Sequence, residues 1–344
     1  MKVKAKFLTG LLGGALVALP AVGLSSCGLV REDLPECPTP VVELRFIYEY
    51  HMEAGNAFHK QVDCLSAYFY DSKGSLVTVE TVTDRDILAD EGYRMRPDLE
   101  PGDYHVVAYG GMDCENSSFF FTKKLSEDSP LSDLRVRLDP ACLTDPDRKR
   151  LHNQFYGAAD FTVTANEGAY ATVEMMRNTN SIQVALQHID GRPIDYNDFI
   201  FEITDDNNDF DCDNNLLPTG EITYTPYNLE NRSTGVDDDQ QEWCAALAQF
   251  TTSRLYYNKP TRTMLKVTRV SDGETVFNIP LLNYMLLFKH ENTNLGLDYI
   301  MGDQEYLDRE NSWNFVFFLD SGYMWVSTRI IINDWEVRFN NPNF

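Results

Sequence analysis

From Val41 onward the chain alternates in polarity. Leu44, Phe46 and Tyr48 are interleaved with Arg45 and Glu49, a period of two that fits a half-buried strand and no helix. The segment 62–71 repeats the theme, with Leu65, Ala67 and Phe69 on one side and Ser66, Tyr68 and Tyr70 on the other. The same reading predicts short strands over 76–82, 104–109, 119–124, 133–138 and 155–164. It continues over 172–176, 182–187, 198–203, 221–224, 263–269, 275–279, 313–319 and 324–332. Turn signals separate them: Ser72-Lys73-Gly74, Pro101-Gly102, Asp190-Gly191-Arg192-Pro193 and Ser271-Asp272-Gly273. Helical spacing is confined to 281–290 and 304–309. Many short strands with regular turns specify an all-β chain built of sandwiches. A length of 344 residues suggests two domains, divided near 160–170 into 41–165 and 166–344. The final stretch, 324–339, reads as one last strand, either held inside the second domain, which is the favoured reading, or offered to a neighbour.

The N-terminus carries a different signal. Lys2, Lys4 and Lys6 precede an uncharged apolar run from Phe7 to Leu24, which ends in Leu24-Ser25-Ser26-Cys27. This is the order of a secretory signal peptide, residues 1–26. A spanning helix is disfavoured by Gly10, Gly13, Gly14, Pro20 and Gly23, and by the lack of an aromatic or basic anchor beyond them. The last four residues resemble the lipobox of bacterial lipoproteins, which implies lipidation of Cys27 as the mature N-terminus. Residues 27–40 then form a tether, in which Gly28, Pro35, Pro38 and Pro40 prevent regular structure.

The whole chain has a formal charge of −24, and loss of the leader's three lysines makes it three units more negative. Such a surface repels nucleic acid. Beyond Cys27 there are six cysteines: Cys37, Cys64, Cys114, Cys142, Cys212 and Cys244. Their wide spacing and the lack of a Cys-x-x-Cys pair argue against zinc. An exported chain can form disulfides, and Cys212 with Cys244 is the pair suggested by their shared acidic, loop-rich stretch; buried free thiols are the alternative.

No nucleophile elbow, zinc-protease, dinucleotide or P-loop motif occurs, and the histidines are scattered. The sequence therefore proposes no catalytic residue, no metal site and no cofactor. The stretch from Asp205 to Asn215 is rich in oxygen donors, yet it fails the EF-hand pattern. Counted from Asp205, the sixth position is Phe210 and the twelfth Leu216; counted from Asp209, they are Asn214 and Gly220. A solvated acidic loop, like Asp237-Asp238-Asp239, is the simpler expectation.

Several segments resemble one family, the FimB-like anchor lipoproteins of Bacteroidetes fimbriae, or type V pili. They are Arg31–Cys37, Leu44–Tyr50, Phe58–Asp63, Arg177–Asn180, Phe201–Asp205, Gln304–Glu310 and Ile332–Trp335. They run in order along nearly the whole chain. The resemblance implies two tandem transthyretin-like β-sandwich domains and no enzymatic activity. It implies a fimbrial shaft subunit as partner, and an outer-membrane lipoprotein exposed at the cell surface on which the fibre ends. Arg31-Glu32-Asp33 resembles the export tags of surface lipoproteins in that phylum. In such pili, cleavage after an arginine strips the first strand from a shaft subunit and opens a groove. An anchor should resist that cut at Arg45. Two other readings stand beside this one: an adhesive tip subunit of the same pilus, and a glycan-binding surface lipoprotein using Trp243, Tyr256-Tyr257 or Tyr323 with Trp325.

Overall fold

Strand follows strand along almost the entire chain. The computed structural model describes residues 41–236, 242–289, 301–333 and 335–338; the leader, Cys27, the tether with Cys37, and Asp237–Asp239 lie outside the described residues. In chain order the first-half strands are β1 (Val42–Ile47), β2 (Leu65–Asp71), β3 (Leu76–Val82), β4 (Gly102–Gly110), β5 (Phe119–Phe121), β6 (Val136–Leu138), β7 (Phe155–Val163) and β8 (Ala169–Arg177). Then come β9 (Thr179–His188), β10 (Phe199–Asp205), β11 (Asp209–Phe210), β12 (Ile222–Tyr224), β13 (Asn228–Val236) and β14 (Glu242–Ser253). The last are β15 (Met264–Arg269), β16 (Thr275–Pro280), β17 (Ser312–Leu319), β18 (Trp325–Ile332) and β19 (Trp335–Arg338). The chain is all-β. Its helices are short, among them Phe58–Gln61, Arg85–Ala89, Leu281–Met285 and Asp303–Arg309.

Among the described residues the strands form four sheets. One has the order β1-β8-β7-β4-β2-β3, and a second the order β13-β14-β9-β17-β18-β19. A four-stranded sheet, β12-β10-β15-β16, faces the second across a sandwich core, and β11-β6-β5 make a small third layer. Two pairings in these six-stranded sheets are parallel: β1 with β8, and β9 with β17. In each half, then, the opening strand is clasped by one that comes much later.

Membership of the large sheets changes at Asn178, between β8 and β9, later than the 165 boundary read from sequence. The small sheet mixes β5 and β6 of the first half with β11 of the second. Contacts leave residues 40–344 as one unit. The reason lies in β2 and β4, which are buried on both faces. Leu65, Ala67, Phe69, Val106 and Ala108 join a core with β1 and the helices Phe58–Gln61 and Arg85–Ala89. Tyr68, Tyr70, Val107 and Tyr109 point the other way, into a core continuous with Phe210, Phe250 and Trp313 of the second half. In that second core Phe277 stacks on Phe317 at 4.3 Å between ring centres, joining β16 to β17 across the sandwich.

The stretch 324–339 is not one strand. It folds back at Asn333, whose φ of +46° reverses the chain, so that Ile332 pairs with Trp335. β18 is internal and β19 forms the edge.

A disulfide joins Cys64, before β2, to Cys114, after β4, with their Cα atoms 6.2 Å apart. Beside it His152 and Asp63 pair at 2.7 Å. The hydrogen bond that His152 donates to Asp63 raises the His152 pKa against the opposing effect of burial. For Asp63, burial acts upward, but the bond to His152 and its charge outweigh it and hold the carboxyl low. The raised imidazole contributes stability below its ordinary value of 6.5, lost as pH rises through the shifted one. The lowered carboxyl contributes above its ordinary 3.8, lost as pH falls through the shifted one. The pair is therefore fully effective between those two values. Urea titrations should show the native protein losing stability as pH is raised above 6.5, and Asp63→Asn should abolish that decline; an unchanged decline in the variant would assign it to another group.

Candidate functional site: the first strand, its junction and the acidic loop

β1 lies at the edge of its sheet in register with β8, from Val42 opposite Ala169 to Ile47 opposite Glu174. The alternation seen in sequence now has a cause. Val42, Leu44, Phe46 and Tyr48 fill the first core, while Arg45 faces solvent. Burying four such side chains contributes on the order of 1.5–3 kcal/mol each. The free edge is partly closed as well: Leu44 N donates to Met95 O at 2.9 Å, and Met95 N to Leu44 O at 3.1 Å. At the start of the strand Ala169 N donates to Val41 O. A Cβ on Gly168, which sits at φ +71°, would fall 2.1 Å from that oxygen, so only glycine lets β1 enter here.

The end of β1 runs into a junction between the two halves. Asn311, just before β17, donates from Nδ2 to the Tyr48 hydroxyl at 2.9 Å. Arg177 donates to Asn311 Oδ1 at 3.2 Å, Asn153 Oδ1 at 2.8 Å and Thr179 Oγ1 at 3.2 Å. Burial pushes the Tyr48 hydroxyl up to about 12. Tyr50 is likewise pushed up to about 12, first by burial and then by Asp308, and its ring carries the Arg309 guanidinium at 4.2 Å. Asn178 and Asn214 exchange amide hydrogen bonds at 2.7 and 3.0 Å, and Asn180 donates to Ser253 O. Thus Leu44–Tyr50, Arg177–Asn180 and Gln304–Glu310, which are remote in sequence, meet in one place.

The acidic loop is not a solvated one. Asp205, Asp206, Asn207, Asp209 and Asn214 are buried. Asp209 receives Arg135 in a two-pronged contact at 2.6 Å on each oxygen, and Arg137 as well, which binds the β5–β6 sheet to β11. Asn207 donates to Ser253 O and Arg254 O and accepts from the Tyr224 hydroxyl. Arg254 pairs with Asp308 at 2.7 Å. Lys259 reaches both Asp205 and Asp206. The protein's own cations take the carboxylates that a calcium ion would need. A carboxylate-rich run can be read as solvated only if its counter-charges are out of reach, and these come from positions up to 74 residues away.

The disulfide expected between Cys212 and Cys244 is not formed. Both are free thiols, as is buried Cys142. Cys212 follows β11 in the small sheet, whereas Cys244 lies on β14 opposite Ser233. Shared acidic surroundings in sequence are no measure of closeness across sheets. Among the described residues one group of three potential metal ligands comes together, Asp63, Cys64 and Cys114, and its sulfurs are joined to each other.

Asp209→Ala should cost about 1.5–3 kcal/mol, because it removes charge-assisted contacts to Arg135 and Arg137, whose side chains, each 36% exposed, can still turn to water. Chemical denaturation would measure this, and a cost near zero would show the ion cluster to be dispensable.

A model of the fimbrillin-A associated anchor proteins Mfa1 and Mfa2 matches residues 34–341. One solved structure from Bacteroides thetaiotaomicron VPI-5482, provisionally assigned as an adhesin, is 46% identical with a TM-score of 0.82, covering 88% of this chain and 99% of that one. Another from the same organism, provisionally assigned to polysaccharide binding, is 27% identical with a TM-score of 0.74, covering 89% and 100%. The fimbrial anchor protein Mfa2 of Porphyromonas gingivalis shares the fold at 16% identity, with a TM-score of 0.60 over 87% and 99%. No curated protein sequence matches. The order of motifs along the chain and the extent of the match agree: this chain belongs to the family of fimbrillin-A associated anchor proteins.

Proposed function

We propose that the protein is a non-enzymatic outer-membrane lipoprotein, cut before Cys27 and held by lipid on that residue, on which a fimbria ends at the cell surface. Membership of a fimbrial anchor family supports the fimbrial role in its coarse form. The finer role rests on one observation: β1 is seated in its sheet and leads directly back to the tether. A groove filled by the chain's own first strand leaves the β8 ladder no place for another subunit's strand. Load from the lipid would enter at Val41, pass along the β1–β8 ladder and reach the second half through Tyr48 and Asn311. The partner in this reading is a fimbrial shaft subunit.

The glycan-binding reading draws on the 27%-identical relative and on surface aromatics. Most of those rings are already engaged. Tyr256 packs on Phe210 and under Arg254, Tyr323 on His188, and Trp325 against Phe277 and Phe317. Tyr257 is 40% exposed and stands without such packing among them.

Two experiments test the anchor. Deleting the gene should release long fibres into the medium, seen by electron microscopy; fibres that stay on the cell would contradict it, and loss of a distal adhesin alone would favour the tip. An arginine-specific protease should leave the folded protein uncut at Arg45, whose backbone is held in the ladder opposite Thr172. Rapid cleavage there, with release from the membrane, would overturn the proposal.

A further inference from the structure

The loop of the acidic run buries a reactive trio that the anchor role does not use. Lys259, in the segment between β14 and β15, has a side chain only 4% exposed, and its ammonium contacts the carboxylates of Asp205, 0% exposed, and Asp206, 4% exposed. The Asp206 contact is 2.5 Å. Asp205 is held on both oxygens, by the Asp206 backbone N–H at 2.7 Å and by the Thr263 hydroxyl at 2.8 Å. Thr261 donates to the other oxygen of Asp206 at 2.5 Å. Burying one cation with two carboxylates is costly in desolvation. A neutral amide in their place would remove an ion pair from the interior.

We propose that Lys259 and Asp205 are joined by an intramolecular isopeptide bond, formed with Asp206 as the acid–base partner. A proton passes from Nζ by way of Asp206 to the Asp205 carboxylate, leaving an amine and a carboxylic acid. Nζ attacks Cγ of Asp205; the charge that develops on one oxygen is met by the Thr263 hydroxyl, while the other oxygen, which accepts the Asp206 N–H, becomes the departing hydroxyl. Asp206 takes a second proton from nitrogen and gives it to the departing hydroxyl. One C–N bond forms, one C–O bond breaks and one water leaves; nothing is oxidised or reduced, and Asp206 ends as it began. The fold supplies the proximity that makes such a condensation fast. Burial also lowers the Lys259 ammonium to about 8, which brings the amine form within reach near neutral pH. The bond would tie the end of β10 to the segment beyond β14, closing a covalent loop around β11 to β14. The inference stands on these contacts alone, whatever the protein's cellular role.

Peptide mass spectrometry of the denatured, trypsin-digested native protein tests it. Trypsin does not cut at Lys259, which precedes Pro260, so the residue stays within 255–262. That peptide is expected joined to the one carrying Asp205, at a mass one water below their sum. Recovery of 255–262 in full as an unlinked peptide would overturn the proposal. Asp206→Asn, which keeps the shape but not the acid, should lose the linkage; linkage at the native level in that variant would remove Asp206 from the step. Should the variant fail to fold, the native digest alone decides.

Discussion

The parallel ladder between β1 and β8 is the constraint on which the rest of the molecule depends. It brings residues 42–47 beside residues 169–174 and lets Val42, Leu44, Phe46 and Tyr48 complete the first core. Without β1 that face of the sheet would be left with an apolar trough and an unpaired edge, both costly in water. Gly168 and the Met95 bridge are local adjustments to its presence. The same strand ends in Tyr48, which touches Asn311 from the opposite half. A segment that closes one core thereby also helps to fix the other.

The second constraint is electrostatic. A chain with so large an acidic excess could be expected to keep its carboxylates in water, yet it carries five of its Asp and Asn residues from 205 to 214 inside. They are tolerated because each finds a fixed partner: Arg135 and Arg137 for Asp209, Lys259 for Asp205 and Asp206, Asn178 for Asn214. This polar hub joins the small sheet, the four-stranded sheet and the helix Asp303–Arg309 through Asp308. It accounts for a core that crosses the expected domain boundary. The family's motifs make sense in this light, since Arg177–Asn180 and Gln304–Glu310 are parts of that joint rather than parts of a catalytic centre.

Much of the fold was legible in sequence, and the reason differs from strand to strand. The sequence places β3, β16 and β17 to within two residues at each end, because one side of each faces the core, and it places the start of β1 to within one. β14, the longest strand, gave no such signal. Its Ala245, Ala246, Leu247 and Ala248 are all buried, so the alternation vanishes, and small residues carry no strand preference of their own. β13, its partner, went unseen with it. Of the site, the segments that meet at the junction were each noticed, but their meeting was not, since pairs such as Tyr48 and Asn311 are 263 residues apart. The Cys64–Cys114 bridge was hidden for the same reason: register between β2 and β4 sets it, not local composition.

The central claim is that an unbroken first strand connects this body to a lipid. Mass spectrometry of the N-terminal peptide of protein extracted from its own membrane examines that claim directly. The account predicts a mature chain that begins at an acylated Cys27 and runs without interruption through Val42–Ile47. A chain that begins at Phe46, or an unmodified Cys27 behind an uncut leader, would contradict it.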